Sequence, residues 1–228
     1  MANETNGSRY RGVILDVDGT LLDSNAAHVE AWVEALNENG FEVSAEDIWP
    51  LVGMGGDNLL PAAVGIDKES AEGKKISERR SEIYKSRLPH LQAFPGVRDL
   101  LIRMKEDGLK RVVATSSPKE EVGKALELAK VTDLVEETVS ASDAGKSKPD
   151  PDTVAIAVER SGLPAGELVM LGDTPYDIEA AGKAGVRVIA LRSGNFPDDK
   201  LENALAIYDD AADLLARYDS SPLGGSGR

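Results

Sequence analysis

The sequence predicts an α/β fold, a Rossmann-like parallel sheet flanked by helices and interrupted by an all-helical insertion. Three observations carry that reading. Short β-branched runs alternate with helix-like segments of about 10–15 residues, the pattern of βαβ units. The stretch from Leu21 to about His90 breaks this rhythm and reads as helices only. Several of the expected strands run straight into Asp, Ser, Thr or Gly, and ligands of an open parallel sheet bind at strand carboxyl ends.

The strands are expected at Val13–Leu15, Arg111–Ala114, Leu134–Val139, Leu168–Leu171 and Arg187–Leu191. In the insertion, Val29, Trp32, Val33 and Leu36 fall on one helix face, and Gly40 stops that helix. Ser44-Ala-Glu-Asp47 opens the next helix as a capping box before Ile48 and Trp49. Gly53-Met-Gly-Gly56 reads as a flexible loop, and the charged segment from Asp67 to Leu88 as a long exposed helix. Gly73 weakens that helix by about 1 kcal/mol. Phe94-Pro95-Gly96 is a turn back to the sheet, and the Ser- and Gly-rich end from Ser220 reads as disordered.

The 228 residues, 41% of them apolar, suit a core domain plus a small insertion, or one large α/β domain. No run of roughly 18 apolar residues offers a membrane span. Met1 to Tyr10 is polar and lacks a signal-peptide pattern, and there is no cysteine, so a cytoplasmic location is expected. The net charge of −14 opposes nucleic acid and anionic membranes. It also opposes any phosphorylated ligand, so an anion site needs local help from a cation, a lysine or helix N-termini.

Four segments carry candidate chemistry. Asp16 and Asp18 follow the first strand, with Gly19 permitting a sharp departure and Thr20 beyond. Two close carboxylates need a cation or a shared proton. Thr115, Ser116 and Ser117 end the second expected strand; Ser117 reads as the N-cap of a helix opened by Pro118, while Thr115 and the Ser116 amide can grip phosphate oxygens. Lys148 precedes Pro149 and is held extended as a point charge, with Asp150-Pro151 capping the next helix and Lys146 a surface charge. Gly172-Asp173 ends another strand, followed by a helix with Pro175 first and Asp177 third, closed by Gly185. Asp16, Asp18 and Asp173 can converge on one hard cation such as magnesium.

In type, order and spacing these four segments resemble the haloacid dehalogenase (HAD) superfamily over nearly the whole chain, and the helical insertion is similar to the cap of its phosphoglycolate phosphatase and β-phosphoglucomutase subfamily. The resemblance implies a HAD core at 1–22 and 90–220, a cap at 23–89 and a disordered tail at 221–228. It implies Asp16 as nucleophile, Asp18 as general acid and base that also lends its backbone carbonyl to Mg2+, Thr115 and Ser116 as phosphoryl holders, and Lys148 as the neutralising charge. Asp173 would ligate the metal, with Asp177 supporting the metal or Lys148. Gly19, His28, Gly53, Gly55 and Gly56 would help hold substrate. The expected partner is a small phosphorylated metabolite, with no nucleic acid or membrane, and the chain a monomer or homodimer.

The implied activity is hydrolysis of a phosphate monoester. Asp18 argues against a dehalogenase, which needs no proton donor to an alkoxide. No residue clearly occupies the cap lysine position of phosphonate hydrolases. A phosphosugar mutase is the alternative: His28 stands where β-phosphoglucomutases carry a histidine tied to cap closure. Against it, the loop Gly53 to Gly56 holds no arginine for a distal phosphate. A non-catalytic scaffold would have lost Asp16, Asp18 or Lys148.

Overall fold

The computed structural model describes residues 10–224. Six parallel strands, β1 (Gly12–Leu15), β2 (Lys110–Ala114), β3 (Glu137–Val139), β4 (Leu168–Gly172), β5 (Arg187–Leu191) and β6 (Ala206–Tyr208), form one sheet in the order β3-β2-β1-β4-β5-β6. The order reverses at β1, so a crevice opens at its carboxyl end between β2 and β4. Alternation divides the strand side chains: Val13, Leu15, Val113, Val169, Leu171 and Ile189 pack on one face. Ile14, Val112, Met170 and Val188 pack on the other. Burial on both faces explains the continuous apolar runs.

Between β1 and β2 the chain forms α1 (Asn25–Glu38), α2 (Ala45–Ile48), α3 (Gly56–Val64), α4 (Ala71–Arg87) and then α5 (Val97–Glu106). The first four make the helical cap, with α1 packed along α4. Their apolar residues, Trp32, Leu36, Ile48, Leu60 and Ile76 among them, join the cluster on the Val13 and Leu15 face. The other helices are α6 (Lys119–Leu128), α7 (Asp152–Ser161), α8 (Pro175–Lys183), α9 (Asp198–Leu201) and α10 (Ala211–Ala216). No helix among the described residues is long and apolar enough to cross a membrane.

Several elements follow the sequence reading. The Ser44–Asp47 capping box forms, and Gly96 turns the chain with a left-handed φ of 76°. Others differ. The strand expected from Leu134 begins at Glu137, because Thr132–Leu134 winds into a 3-10 turn. The edge strand β6 was not expected. The helix from Asp67 starts at Ala71 and is exposed on one side only: Gly73, Ile76, Arg80, Ile83 and Tyr84 are buried. Pro118 and Pro151, rather than Ser117 and Asp150, occupy the N-cap positions of α6 and α7. In the tail expected to be disordered, residues 221–224 are placed and Leu223 is buried in the core; 225–228 lie outside the described residues, as do 1–9.

Candidate active site

The floor of the site lies at the ends of β1 and β4. The Asp16 amide donates to the Leu171 carbonyl at 3.0 Å, extending the ladder one residue past β1 and fixing Asp16 beside β4. Lys148 Nζ donates to Asp16 Oδ1 at 2.7 Å and Asp177 Oδ1 at 2.6 Å, and all three side chains are buried. Asp177 uses its other oxygen to cap α8, accepting from the Thr174 amide at 3.0 Å and hydroxyl at 2.7 Å. Asp173 accepts from Thr20 and Asn25, each at 2.9 Å. Oxygens of Asp16, Asp173 and Asp177 lie within 4.8 Å of one another.

These three carboxylates share a single ammonium. Burial pushes Asp16 well above the usual carboxylate range; Lys148 pulls it down, while Asp177 and Asp173 push it up further. Burial, reinforced by the charge of Asp177, pushes Asp173 up to about 7. Burial opposes the charge on Lys148, but Asp16 and Asp177 outweigh it and hold the ammonium above its ordinary range. An all-oxygen donor set with uncompensated negative charge suits a hard divalent cation. Gly19 is required here. Its φ is +75°, and a Cβ would fall 2.0 Å from Asp173 Oδ2.

Asp18 faces away from that cluster. Its carboxylate accepts from Ser117 Oγ at 2.6 Å, Ser24 Oγ at 2.7 Å and Tyr84 Oη at 3.3 Å, and lies 2.8 Å from His28 Nε2. Burial pushes its pKa up, but the charge and hydrogen bond of His28 and the Ser117 and Ser24 hydroxyls outweigh that and hold it below the usual range. His28 stacks on Tyr84 with ring centroids 4.0 Å apart, and its Nδ1 meets the Arg80 guanidinium. Ser117 thus serves Asp18 rather than α6. Thr115 Oγ1 accepts from the Ser117 amide at 3.1 Å. Ser116 Oγ is buried with no partner.

A cavity of about 110 Å³ separates the sheet ends from the cap. Of the residues expected from sequence, Asp16, Asp18, His28, Gly53, Gly56, Thr115, Ser116 and Lys148 line it. Gly19, Gly55, Asp173 and Asp177 sit behind that wall. The glycine loop is pressed onto the sheet side instead of standing free: a Cβ on Gly53 would lie 2.6 Å from Thr174, and one on Gly55 2.1 Å from Ser147 Cβ. At the start of α3, Asp57 accepts from the Ser147 amide at 2.9 Å, and Asn58 donates to the Ser147 carbonyl at 2.9 Å. The cap thereby grips the loop that carries Lys148.

Sequence reasoning missed Lys68, Ser77 and Arg80 on the cap wall. A lysine and an arginine do reach the cavity, from α4 and the segment before it instead of the glycine loop. Glu121 on α6, which binds Arg80, was missed as well. A readable signal existed: Gly73, Ile76, Arg80, Ile83 and Tyr84 recur at helical spacing, placing Arg80 on the buried face.

Residues 13–191 match the family of haloacid dehalogenase-like hydrolases. A phosphoglycolate phosphatase of Aliivibrio fischeri is 30% identical over 192 residues, covering 80% of this chain and 84% of its own. The crystal structure of a hydrolase from Pseudomonas syringae superposes with a TM-score of 0.86 at 30% identity, over 92% of this chain and 98% of that one. A β-phosphoglucomutase from Clostridium difficile shares the fold, with a TM-score of 0.82 at 19% identity over 94% and 97% of the two chains. With the parallel sheet, the helical cap and the four segments meeting at β1, these similarities place the chain in the haloacid dehalogenase-like hydrolase family, as one of its phosphatases.

Proposed function

We propose that this chain is a magnesium-dependent phosphatase that hydrolyses a small-molecule phosphate monoester through an aspartyl-phosphate on Asp16. The observation that carries this reading is the meeting of Asp16, Asp18, Thr115, Ser116 and Lys148 on one cavity. Asp16 and Asp173 would hold the magnesium, with the Asp18 carbonyl, and Asp177 in support. When bound, the ion supplies charge compensation for the carboxylates and the phosphoryl oxygens.

An Asp16 oxygen attacks phosphorus as the bond to the ester oxygen breaks, and Asp18 gives its proton to the departing alkoxide. Asp18 then takes a proton from water; the water oxygen attacks phosphorus, the bond to Asp16 breaks, and inorganic phosphate leaves. The donors around Asp18 favour its carboxylate, the form needed for the second step. An incoming phosphoryl dianion opposes them and raises its proton affinity for the first. Lys148 and Ser116 offset and hold the phosphoryl charge.

The proposed cap, residues 23–89, closes over the core and limits access by water. The partner is a small phosphorylated metabolite, phosphoglycolate among the candidates by analogy with the A. fischeri relative. The setting proposed is cytoplasmic, as a monomer or homodimer without nucleic acid or membrane. Asp16→Asn, with deamidation excluded, should abolish release of free phosphate while the fold persists; steady turnover in that variant would overturn the nucleophile. A phosphosugar mutase is the second reading, favoured by the contact between His28 and Asp18. Incubation with β-glucose 1-phosphate and a bisphosphate primer separates the two: glucose 6-phosphate marks a mutase, free phosphate a phosphatase.

A further inference from the structure

Lys148 stands on a corner that the core alone holds loosely. The next residue is Pro149, which has no N–H to donate. The Asp150 amide closes a turn onto the Ser147 carbonyl at 3.0 Å, and Lys183 Nζ reaches the Pro149 carbonyl at 3.0 Å. Among the described residues, neither the Ser147 amide nor the Lys148 carbonyl has a hydrogen-bond partner in the core.

The cap takes up both. Asp57 Oδ2 accepts from the Ser147 amide at 2.9 Å. Asn58 Nδ2 donates to the Ser147 carbonyl at 2.9 Å and to the Lys148 carbonyl at 3.3 Å, and the Gly55 amide donates to the same Lys148 carbonyl at 3.4 Å. Asp57 and Asn58 are the second and third residues of α3, whose first turn is closed by the Asn58 and Leu59 amides on the Gly55 carbonyl. Leu59 and Leu60 follow, and both are buried in the core cluster. The side chains that reach the lysine corner therefore stand on a fixed element.

A helix dipole favours Asp in a first turn on its own. It does not require that Asp to accept from a residue of the core. The other oxygen, Asp57 Oδ1, is buried with no partner, a costly placement for a carboxylate. The contacts also grip main chain on both sides of the Lys148 Cα, so they set the direction in which its side chain leaves. A lysine stem is flexible and its ammonium has no rigid fork, so its aim depends on where its Cα is held. That aim must be close: Nζ meets Asp16 at 2.7 Å and Asp177 at 2.6 Å with the side chain buried.

We propose that Asp57 and Asn58 are positioning residues that clamp the Ser147 and Lys148 backbone, so that the Lys148 ammonium is aimed at Asp16 only while α3 is docked. This deepens the phosphatase reading and rests on it for the role of Lys148. Docking of the cap then covers the cavity and also completes the charge arrangement beneath it. A cap that lifts α3 releases two peptide groups to water and frees Lys148 to turn from Asp16. A misplacement of about 1 Å at a reacting group can cost roughly 100-fold in rate.

The test reads the corner, the lysine and turnover separately in Asp57→Ala, Asn58→Ala, Asp57→Asn and Glu46→Ala, an exposed change on α2. Hydrogen exchange of the Ser147 amide should quicken roughly tenfold or more in Asp57→Ala, with β1 and α4 exchanging as in the wild type. Labelling of Lys148 by trace acetic anhydride, located by mass spectrometry, should quicken in Asp57→Ala and Asn58→Ala. With 2-phosphoglycolate and ethyl phosphate, kcat should fall by about 10–100-fold while KM changes by less than about threefold. Asp57→Asn, which keeps an acceptor oxygen, should restore most of each loss, and Glu46→Ala should change nothing. Unaltered labelling in both alanine variants would overturn the clamp, even if Ser147 exchange quickens, and so would losses as large in Asp57→Asn as in Asp57→Ala. If the wild type hydrolyses neither ester while exchange and labelling respond as expected, the phosphatase reading fails and the clamp stands.

Discussion

Arg80 of α4 and Glu121 of α6 form a two-pronged ion pair across the cleft, with Arg80 Nη1 at 3.2 and 3.0 Å from the two carboxylate oxygens and both side chains buried. Ser81 adds a hydrogen bond of 2.5 Å to Glu121. The same guanidinium meets His28, which contacts Asp18. A chain of polar contacts therefore runs from the sheet side through the cap to Asp18. Removing one partner of a buried pair strands the other charge, whereas replacing both can be nearly neutral. Glu121→Ala should destabilise the protein by about 3–5 kcal/mol in urea unfolding. Arg80→Met with Glu121→Leu should recover most of that loss. A single-variant loss below about 1 kcal/mol would mean that the pair is solvent-screened.

The acidic floor gives a second prediction. Asp16 is buried among like charges that raise its pKa, so a neutral isostere relieves repulsion while Lys148 keeps Asp177. Asp16→Asn should melt no lower than wild type in EDTA. Failure would appear as a clear drop in Tm.

Magnesium should raise the Tm of the wild type. A ligand at 100 times its Kd stabilises by about 2.7 kcal/mol. Asp173→Asn removes a donor from the carboxylate cluster and should abolish most of that shift. EDTA should silence activity and magnesium restore it. A Tm unaffected by magnesium in the wild type would count against the metal site.

The contact of Gly55 with Ser147 gives a fourth test. A methyl there would enter the space of Ser147 Cβ at 2.1 Å, so the cap loop and the lysine loop must separate. Such overpacking costs about 1–3 kcal/mol, and if closure bears it, Gly55→Ala should lower kcat/KM by about 10–100-fold. Unchanged kinetics would mean that the loops adjust without opening the site.

Leu223 tests the tail. It is 1% exposed and belongs to the core. Leu223→Ala should cost about 2–5 kcal/mol by chemical unfolding. A loss under about 0.5 kcal/mol would restore the reading of the whole tail as free.

How much was legible follows from which signals are local. Four of the five expected strands were readable because burial on both faces turns them into apolar runs; β3, whose start was misplaced, and β6, which was not expected, are three-residue strands at the two sheet edges with too few residues for a pattern. Asp16, Lys148 and Asp173 were readable because each sits where a strand or helix boundary is marked by glycine or proline. Ser117 was misread because an N-cap and a hydrogen-bond donor to a distant carboxylate look alike in sequence. Arg80 and Glu121 were missed for the opposite reason. Two charges 41 positions apart read separately as solvated faces, and only folding turns them into a pair. The glycine loop was legible as glycine-rich, but its use for close packing depends on Ser147 and Thr174, far along the chain.

One carboxylate, Asp177, joins architecture to chemistry. One oxygen fastens the first turn of α8, and the other steadies Lys148. A longer side chain displaces both bonds together, and an amide weakens both by removing the charge. Mutational drift at this position therefore has no gradual route: loss of a helix anchor and loss of an ordered lysine arrive in the same step, and a repair elsewhere must replace two functions at once.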